Sequence, residues 1–237
     1  MGEQVKIIAA VGKGGVGKTS LSASFVRLLS ERYPEKRILA IDADPAVGLS
    51  TALGIEVETT LDDIRKGITK SLETGKTREA VEMLSEAKFR ILDAITEKDG
   101  FSFIAIGRPE GAGCYCKVNA YLKEVIELLT KDFDYVVIDG EAGIEQINRR
   151  VMEKVTHLIM VSDGSRKGIQ VINTIKTVAD SLVMYDEYGI IINSSIGNSS
   201  LSSLISASFS LQQQLISTLS FSFSLILGIF LQAGFGQ

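Results

Sequence analysis

The chain has 237 residues, 45% hydrophobic and 23% charged, which is enough to bury a core within one domain. A net charge of -4 argues against a broad nucleic-acid-binding surface, and two cysteines are too few for a disulfide framework. The N-terminal residues show no signal-peptide pattern. We therefore expect a single domain over residues 1–237, cytoplasmic, with free thiols and with neither nucleic acid nor membrane as a partner.

Short apolar runs bounded by glycine or acidic residues recur along the chain and predict buried strands. These runs begin at Val5, Arg37, Phe101, Asp134, His157 and Tyr188. Stretches with helical spacing of apolar residues lie between most of them. The alternation predicts an α/β fold, a doubly wound and mostly parallel sheet with helices on both faces.

A phosphate loop follows the first predicted strand. Residues Gly12 to Thr19 read GKGGVGKT, which matches G-x-x-x-x-G-K-[ST] between a strand and a helix that begins near Lys18. Loop N–H groups and the helix N-terminus favour phosphate oxygens, Lys18 is expected to hold the β- and γ-phosphates, and Thr19 is expected to ligate Mg²⁺. The predicted nucleotide-binding residues here are Gly12, Lys13, Gly14, Gly15, Val16, Gly17, Lys18, Thr19 and Ser20.

A second lysine, Lys13, stands inside this loop, and with it the sequence resembles the deviant P-loop ATPases. That class of P-loop NTPases includes MinD, ParA, the nitrogenase iron protein and nickel-insertion ATPases. The resemblance implies an ATPase that converts ATP and water to ADP and phosphate with Mg²⁺. It also implies a homodimer in which Lys13 reaches the partner's nucleotide.

Acidic and amide residues extend the resemblance along the chain. Asp44 in AIDADP, just after Asp42, falls where the family places the aspartate that orients the attacking water. Asp139 in YVVIDGEAG corresponds to the Walker B carboxylate that holds Mg²⁺ through water, and residues 141–143 to switch II. Asn193 corresponds to an adenine-contacting asparagine. Lys13, Lys18, Asp44 and Asp139 are therefore the predicted catalytic residues.

The segment Thr59–Lys98 is rich in glutamate, lysine and arginine and predicts an outer helical region. Leu61, Ile64 and Ile68 recur at helical spacing and form its predicted inward stripe.

Both cysteines, Cys114 and Cys116, stand in the glycine-flanked stretch GAGCYCKV, just before an amphipathic helical pattern. A C-x-C pair offers two thiolates to one soft or borderline metal, and a structural zinc site usually has four protein ligands. A symmetric dimer would bring two pairs together and complete the set. The sole histidine, His157, begins a predicted strand and is not among the predicted metal ligands.

The segments IGRPEGAGCYCKVNAYL and DGEAGIEQ, within residues 5–193, resemble the CooC-type nickel-insertion ATPases. This resemblance implies an ATP-dependent metallochaperone that binds Ni²⁺ or Zn²⁺ between subunits. Its client would be carbon monoxide dehydrogenase or acetyl-CoA synthase. Two alternatives stay open: a spatial-organisation ATPase like MinD or ParA, and an iron–sulfur carrier or reductase like the nitrogenase iron protein.

The last part of the chain has a different composition. After Glu187 there is no Asp, Glu, Lys or Arg, and residues 194–237 are a mixture dominated by serine, leucine and phenylalanine. This composition is more typical of a reading-frame change or of unassigned residue identities than of a natural continuation. A transmembrane helix over residues 215–231 is a weaker alternative, because serines and a threonine interrupt it.

Overall fold

The computed structural model describes residues 4–107, 116–140, 151, 154–182 and 184–193, with side chains except at positions 116, 117, 119, 182 and 184. The chain divides into two units, Met1–Asn193 and Ser194–Gln237. The second unit, with the predictions made for it, lies outside the described residues.

Seven strands form one sheet in the order β3-β4-β2-β5-β1-β6-β7. The strands are β1 (Lys6–Gly12), β2 (Ile38–Asp42), β3 (Thr96–Lys98), β4 (Phe101–Ala105), β5 (Tyr135–Asp139), β6 (Lys154–Ser162) and β7 (Met184–Ile192). The β3–β4 pair is antiparallel, and every other neighbouring pair is parallel. The predicted α/β fold with a mostly parallel sheet is confirmed.

The sheet is covered on both faces. All five residues of β2 are buried although successive side chains point to opposite faces. Phe103 and Ile138 on the neighbouring strands are at most 1% exposed, and they belong to the same central region of the molecule. Such continuous burial requires helices on each side of a parallel sheet.

Seven helices lie between the strands in the described part of the chain. They are α1 (Lys18–Arg32), α2 (Gly48–Leu53), α3 (Leu61–Glu73), α4 (Thr77–Ser85), α5 (Ala87–Asp93), α6 (Cys116–Thr130) and α7 (Arg166–Leu182). Helix α1 contacts β1, β2 and β5, and α7 contacts β6 and β1. These two helices therefore cover the centre of the sheet, where the phosphate loop begins.

The charged segment 59–98 is helical as predicted, with one difference. Leu61, Ile64 and Ile68 are buried, and the Thr60 hydroxyl caps α3 by accepting from the Asp63 N–H at 3.2 Å. The segment forms the three helices α3, α4 and α5, and it ends in the short strand β3, which was not predicted. The polar residues of β3 pair antiparallel with β4 at the edge of the sheet, a pairing that their own sequence does not indicate.

The strand register brings acidic residues together at the carboxyl ends of the central strands. Asp42 and Asp139 are direct neighbours across β2 and β5, and Ala10 of β1 lies beside Asp139. Gly12 lies beside Val161 of β6. The carboxyl ends of these strands therefore meet next to the phosphate loop, where open α/β sheets bind their ligands.

Candidate nucleotide site

The phosphate loop connects the end of β1 to the start of α1. Gly12, Gly15 and Gly17 have φ angles of 151°, 77° and 90°, and Gly17 is the N-cap of α1. Glycine adopts such conformations without the steric cost that a side chain brings. The loop therefore turns tightly enough to present its N–H groups and the N-terminus of α1 on one side.

Gly12 is required for a second reason. A Cβ atom at this position would lie 2.0 Å from the Val161 carbonyl oxygen of β6. No side chain fits there, so the loop leaves β1 in direct contact with the neighbouring strand.

Lys18 is only 7% exposed, and its Nζ donates to the Lys13 carbonyl oxygen at 3.1 Å. The ammonium group therefore lies against the loop itself. This is the region where the sequence predicts the β- and γ-phosphates, and a buried cation there favours a polyanionic ligand.

The Lys13 side chain binds a carboxylate outside the phosphate loop. Its Nζ donates to Asp163 Oδ2 at 2.7 Å, an ion pair between residues 150 positions apart. Asp163 is not among the residues predicted from the sequence, although its position directly after a buried strand, at the same end of the sheet as Asp42 and Asp139, could have indicated it.

Asp42 and Asp139 are fully buried at the ends of β2 and β5. Burial, reinforced by the neighbouring charge of Asp139, raises the pKa of Asp42 to about 7. The N–H groups of Asp44, Leu49 and Ser50 donate to the Asp42 carboxylate and oppose this shift.

Burial also raises the pKa of Asp139, while the nearby hydroxyls of Thr19 and Ser22 and the Lys18 ammonium oppose the change. Ser22, itself fully buried, donates to Asp139 Oδ1 at 3.0 Å. Asp139 Oδ2 is buried and accepts no hydrogen bond from the described residues. An unsatisfied carboxylate oxygen in the interior is costly unless a ligand completes it.

Asp44 follows β2 in a tight turn. Its Oδ1 accepts from the Ala46 N–H at 2.8 Å, and its carbonyl accepts from the Val47 N–H at 2.9 Å. Val47 has a φ of 50°, a conformation that costs a β-branched residue free energy. The turn brings Gly48 against Thr19, whose Cγ2 would lie 3.4 Å from an added Cβ, so the Asp44 turn adjoins the phosphate loop.

Two further predicted residues flank the loop. The Asn193 N–H donates to the Ser162 carbonyl at 2.7 Å, and its side-chain Nδ2 donates to the Val16 carbonyl at 2.9 Å. Asn193 therefore supports the loop directly, a contact that the sequence does not predict. Ser20 is exposed in the first turn of α1.

A family model described as an AAA domain matches residues 5–186. The chain belongs to this AAA domain family.

Relatives of this AAA domain protein include named ATP-binding proteins. It is 39% identical over 176 residues to the uncharacterized ATP-binding protein MJ0685 of Methanocaldococcus jannaschii, covering 74% of this chain and 69% of that one. It is 31% identical over 186 residues to the carbon monoxide dehydrogenase accessory protein CooC of Rhodospirillum rubrum, with the same two coverages. The first of these relatives is named for ATP binding and the second as an accessory protein of carbon monoxide dehydrogenase.

Solved structures show the same fold at low identity. A ParA family ATPase from Chlorobium tepidum superposes with a TM-score of 0.57 at 16% identity, over 86% of this chain and 79% of that one. The MinD cell division protein of Aquifex aeolicus gives 0.56 at 17%, over 85% and 78%. These similarities confirm the predicted P-loop NTPase fold of the AAA domain protein.

The predicted soft-metal site cannot be placed. Cys114 lies outside the described residues, as do residues 141–143, and Cys116 is described only as the backbone that begins α6. Among the residues that are described, no group of three or more His, Cys, Asp or Glu side chains could hold a metal ion. His157 Nδ1 lies 2.7 Å from the Thr156 hydroxyl of its own strand.

Proposed function

We propose that this protein is a Mg²⁺-dependent ATPase that hydrolyses ATP to ADP and phosphate. One observation carries the proposal: the strand register brings the lysine-containing phosphate loop together with the buried carboxylates Asp42 and Asp139 at one edge of the sheet. Phosphoryl transfer needs positioned positive charge, a metal-holding carboxylate and an oriented water. Lys18, Asp139 and Asp44 are the residues of this site suited to the three tasks.

The residues present fit a magnesium ion. Asp139 Oδ2 is a buried oxygen for which the described residues supply no hydrogen-bond geometry, and the Thr19 hydroxyl is close enough to lower the pKa of the same carboxyl. Hard oxygen ligands of this kind are what Mg²⁺ prefers. Thr19 and, through water, Asp139 would hold the ion, which neutralises charge that develops on the phosphates.

Side chains and N–H groups of the chain itself bind the phosphates and orient the attacking water. Lys18 stabilises the β- and γ-phosphates from within the loop, and the N–H groups of the loop and of α1 bind their oxygens. Asp44 accepts a hydrogen bond from the attacking water and orients it in line with the γ-phosphate. Lys13 stabilises the γ-phosphate of a second copy of the chain in a homodimer.

Substitution in the loop tests the ATPase proposal. Lys18→Ala should lower kcat/KM for ATP by about 100-fold or more, because one preorganised charge contact to the transferring phosphate is lost. Lys154→Ala is the matched control, since it removes an exposed lysine that pairs with Asp186 at 2.8 Å at the other end of β6. A Lys18→Ala variant that releases phosphate from ATP with the kcat/KM of the wild type would reject the proposal.

We further propose that ATP drives the capture and delivery of Ni²⁺, with Zn²⁺ as a second possible cargo, through Cys114 and Cys116 of two subunits. The support is the C-x-C spacing beside the start of α6 and the relative named carbon monoxide dehydrogenase accessory protein. A helix N-terminus favours the thiolate form that binds metal. The client in this proposal is carbon monoxide dehydrogenase or acetyl-CoA synthase.

The end of β4 lies beside Asp42 of the candidate nucleotide site. The Ile106 N–H donates to the Asp42 carbonyl at 2.8 Å, and Gly107 is the last described residue before residues 108–115, which include Cys114.

Elemental analysis with size-exclusion chromatography tests the metal proposal. The dimer loaded with Ni²⁺ should retain about one metal per two chains, and Cys114→Ser with Cys116→Ser should lose it while the ATPase site stays intact. Full metal retention by the double variant would reject the site.

The two alternatives give different results in the same preparations. A visible absorption band after anaerobic purification would favour the iron–sulfur function. Co-sedimentation with lipid or DNA in the presence of ATP would favour the MinD- or ParA-like function. Within the described part of the chain, no helix combines the length and the apolar character needed to cross a membrane.

A further inference from the structure

Lys13 is held within its own chain by a carboxylate outside the phosphate loop. Its Nζ lies 2.7 Å from Asp163 Oδ2, and the two side chains are 34% and 36% exposed. Asp163 directly follows β6, the strand whose Val161 adjoins Gly12. The pair therefore ties the phosphate loop to the segment that leads into α7.

The Asp163 carboxylate is fixed by its own surroundings. Its Oδ1 accepts from the Ser165 N–H at 3.2 Å and from the Ser165 hydroxyl at 2.5 Å. The Ser165 Oγ accepts in turn from the Gly168 N–H in the first turn of α7 at 3.0 Å. With Oδ1 occupied in this way, Oδ2 is directed at Lys13.

Gly168 completes this arrangement. A Cβ atom there would lie 2.2 Å from Asp163 Oδ1 and 2.7 Å from the Asp163 carbonyl oxygen. Only glycine lets α7 begin so close to the carboxylate. The bonds from Lys13 and Ser165 hold the pKa of Asp163 at about 2, so the carboxylate is charged throughout the physiological range.

We propose that Asp163 is a positioning residue that binds the Lys13 ammonium group in the monomer and releases it to the nucleotide of a second chain when the dimer forms. This inference rests on the proposed ATPase dimer. An ammonium group is a compact point charge that moves to the stronger anion, and a triphosphate carries more negative charge than one carboxylate. Asp163 thus opposes association until ATP is bound, because both lysines must leave their carboxylates before the dimer closes.

The size of the effect follows from the exposure of the pair. Breaking one exposed ion pair shifts an equilibrium by up to about fivefold. A symmetric dimer breaks two such pairs, so the factors multiply to at most about 25-fold in the dimer dissociation constant. The cost is small enough for ATP to overcome.

The test compares Asp163→Asn with the wild type. Asparagine keeps an oxygen for Ser165 and removes the charge that holds Lys13. In saturating ATP and Mg²⁺, analytical ultracentrifugation should give a dimer dissociation constant about two- to 25-fold lower than that of the wild type. The difference should shrink at high salt, because exposed charges are screened. A merely structural role for Asp163 would weaken the dimer or leave it unchanged.

Three further variants separate the explanations. Asp186→Asn removes a more exposed ion pair, that with Lys154, whose side chains are 45% and 48% exposed, and it should leave the dimer constant unchanged. In a Lys13→Ala background, Asp163→Asn should have no additional effect. Asp163→Glu keeps the charge and should restore behaviour close to that of the wild type, and its circular dichroism melt checks that the segment folds.

The outcomes distinguish this inference from the proposed function. A wild type that stays monomeric with ATP rejects the proposed dimer and this inference with it. A wild type that dimerises while Asp163→Asn dimerises no more tightly rejects the role of Asp163 alone. An effect of Asp163→Asn that persists without Lys13 has the same consequence.

Discussion

Two carboxylates at the nucleotide site are buried where ionisation is unfavourable. Asp42 and Asp139 are fully buried neighbours on adjacent strands, and burial raises the pKa of each. A site prepared for a magnesium ion and phosphates has this property, because the cation that would offset the charge belongs to the bound state. Without the cation, ionisation of these carboxyl groups destabilises the folded protein, and the free energy of unfolding therefore depends on pH.

Stability of the nucleotide-free protein should therefore fall as pH rises from 5 to 8. The folded pKa of Asp42, about 7, lies above its ordinary value of 3.8, so the folded state binds more protons in this window. The stabilisation is complete below the ordinary value and is lost as pH rises through about 7. Its full size is at most about 4 kcal/mol. Urea unfolding at several pH values, with metal chelated, measures it.

The Asp42→Asn variant should show a smaller pH dependence over the same range, because it cannot ionise. Asp186→Asn, which changes an exposed carboxylate, should keep the slope of the wild type. An Asp42→Asn protein with an unchanged slope would show that Asp42 ionises at its ordinary pKa.

Gly12 allows a second prediction at a single residue. Gly12→Ala should destabilise the protein by about 2 kcal/mol or more, because its Cβ would meet the Val161 carbonyl at 2.0 Å and its φ is 151°. Gly14→Ala is the matched control within the same loop, since a Cβ there has nothing within 4 Å. Chemical unfolding of both variants compares them, and equal stabilities would contradict the close contact.

At the scale of elements, the strands and the phosphate loop were predictable because their information is local. Apolar runs and the glycine pattern identify β1, β2, β4, β5, β6 and β7 without reference to the rest of the chain. The short strand β3 was not predictable, because Thr96–Lys98 is polar and pairs only through its neighbour β4. The Lys13–Asp163 pair depends on a register 150 residues apart in sequence, which no local pattern contains.

Asn193 joins the end of β7 to the phosphate loop, and this contact yields a prediction about nucleotide selectivity. Asn193→Ala removes the bond from Nδ2 to the Val16 carbonyl, which supports the loop for any nucleotide. It also removes the side chain that the family resemblance assigns a contact with adenine. We expect GTP affinity to fall about two- to tenfold, the value of one hydrogen bond, and ATP affinity to fall further.

Calorimetric titration of both nucleotides separates the two roles of Asn193. An unchanged GTP affinity would show that the bond to Val16 does not support the loop. Equal losses for ATP and GTP would show that Asn193 does not contact the base. Asn193→Asp keeps the size of the side chain and replaces the donor with an acceptor, so it should weaken both nucleotides at least as much.

At the scale of the whole molecule, the site is assembled from distant parts of the chain at one sheet edge. Segments after β1, β2, β5, β6 and β7 all contribute, and the end of β4 lies beside Asp42 through the bond from Ile106. The phosphate loop, Asp44, Asp139 and Asn193 were predicted from local motifs, whereas Asp163 after β6 was not. The sequence could not predict that Ile106, directly after β4, is hydrogen-bonded to Asp42. Both cysteines follow this strand in the sequence.

The proposed metal-delivering dimer predicts thermodynamic coupling between metal and nucleotide. If ATP changes the distance between the two C-x-C pairs of the proposed dimer, ATP must alter the affinity for Zn²⁺, and Zn²⁺ must alter the affinity for ATP by the same factor. Couplings of this kind are typically about five- to 150-fold. Competitive chelator titrations with and without a non-hydrolysable ATP analogue, and nucleotide titrations with and without Zn²⁺, measure both directions.

The equality of the two factors is the decisive part of that experiment, because a metal that merely binds the triphosphate would change apparent nucleotide affinity without the cysteines. The Cys114→Ser and Cys116→Ser double variant controls for this, and it should bind ATP equally with and without Zn²⁺. Coupling that survives in the double variant would assign the effect to metal at the phosphates. If the wild type binds Zn²⁺ equally well with and without nucleotide, and ATP equally well with and without Zn²⁺, the two binding events are not coupled. The C-x-C pair would then have no nucleotide-driven role.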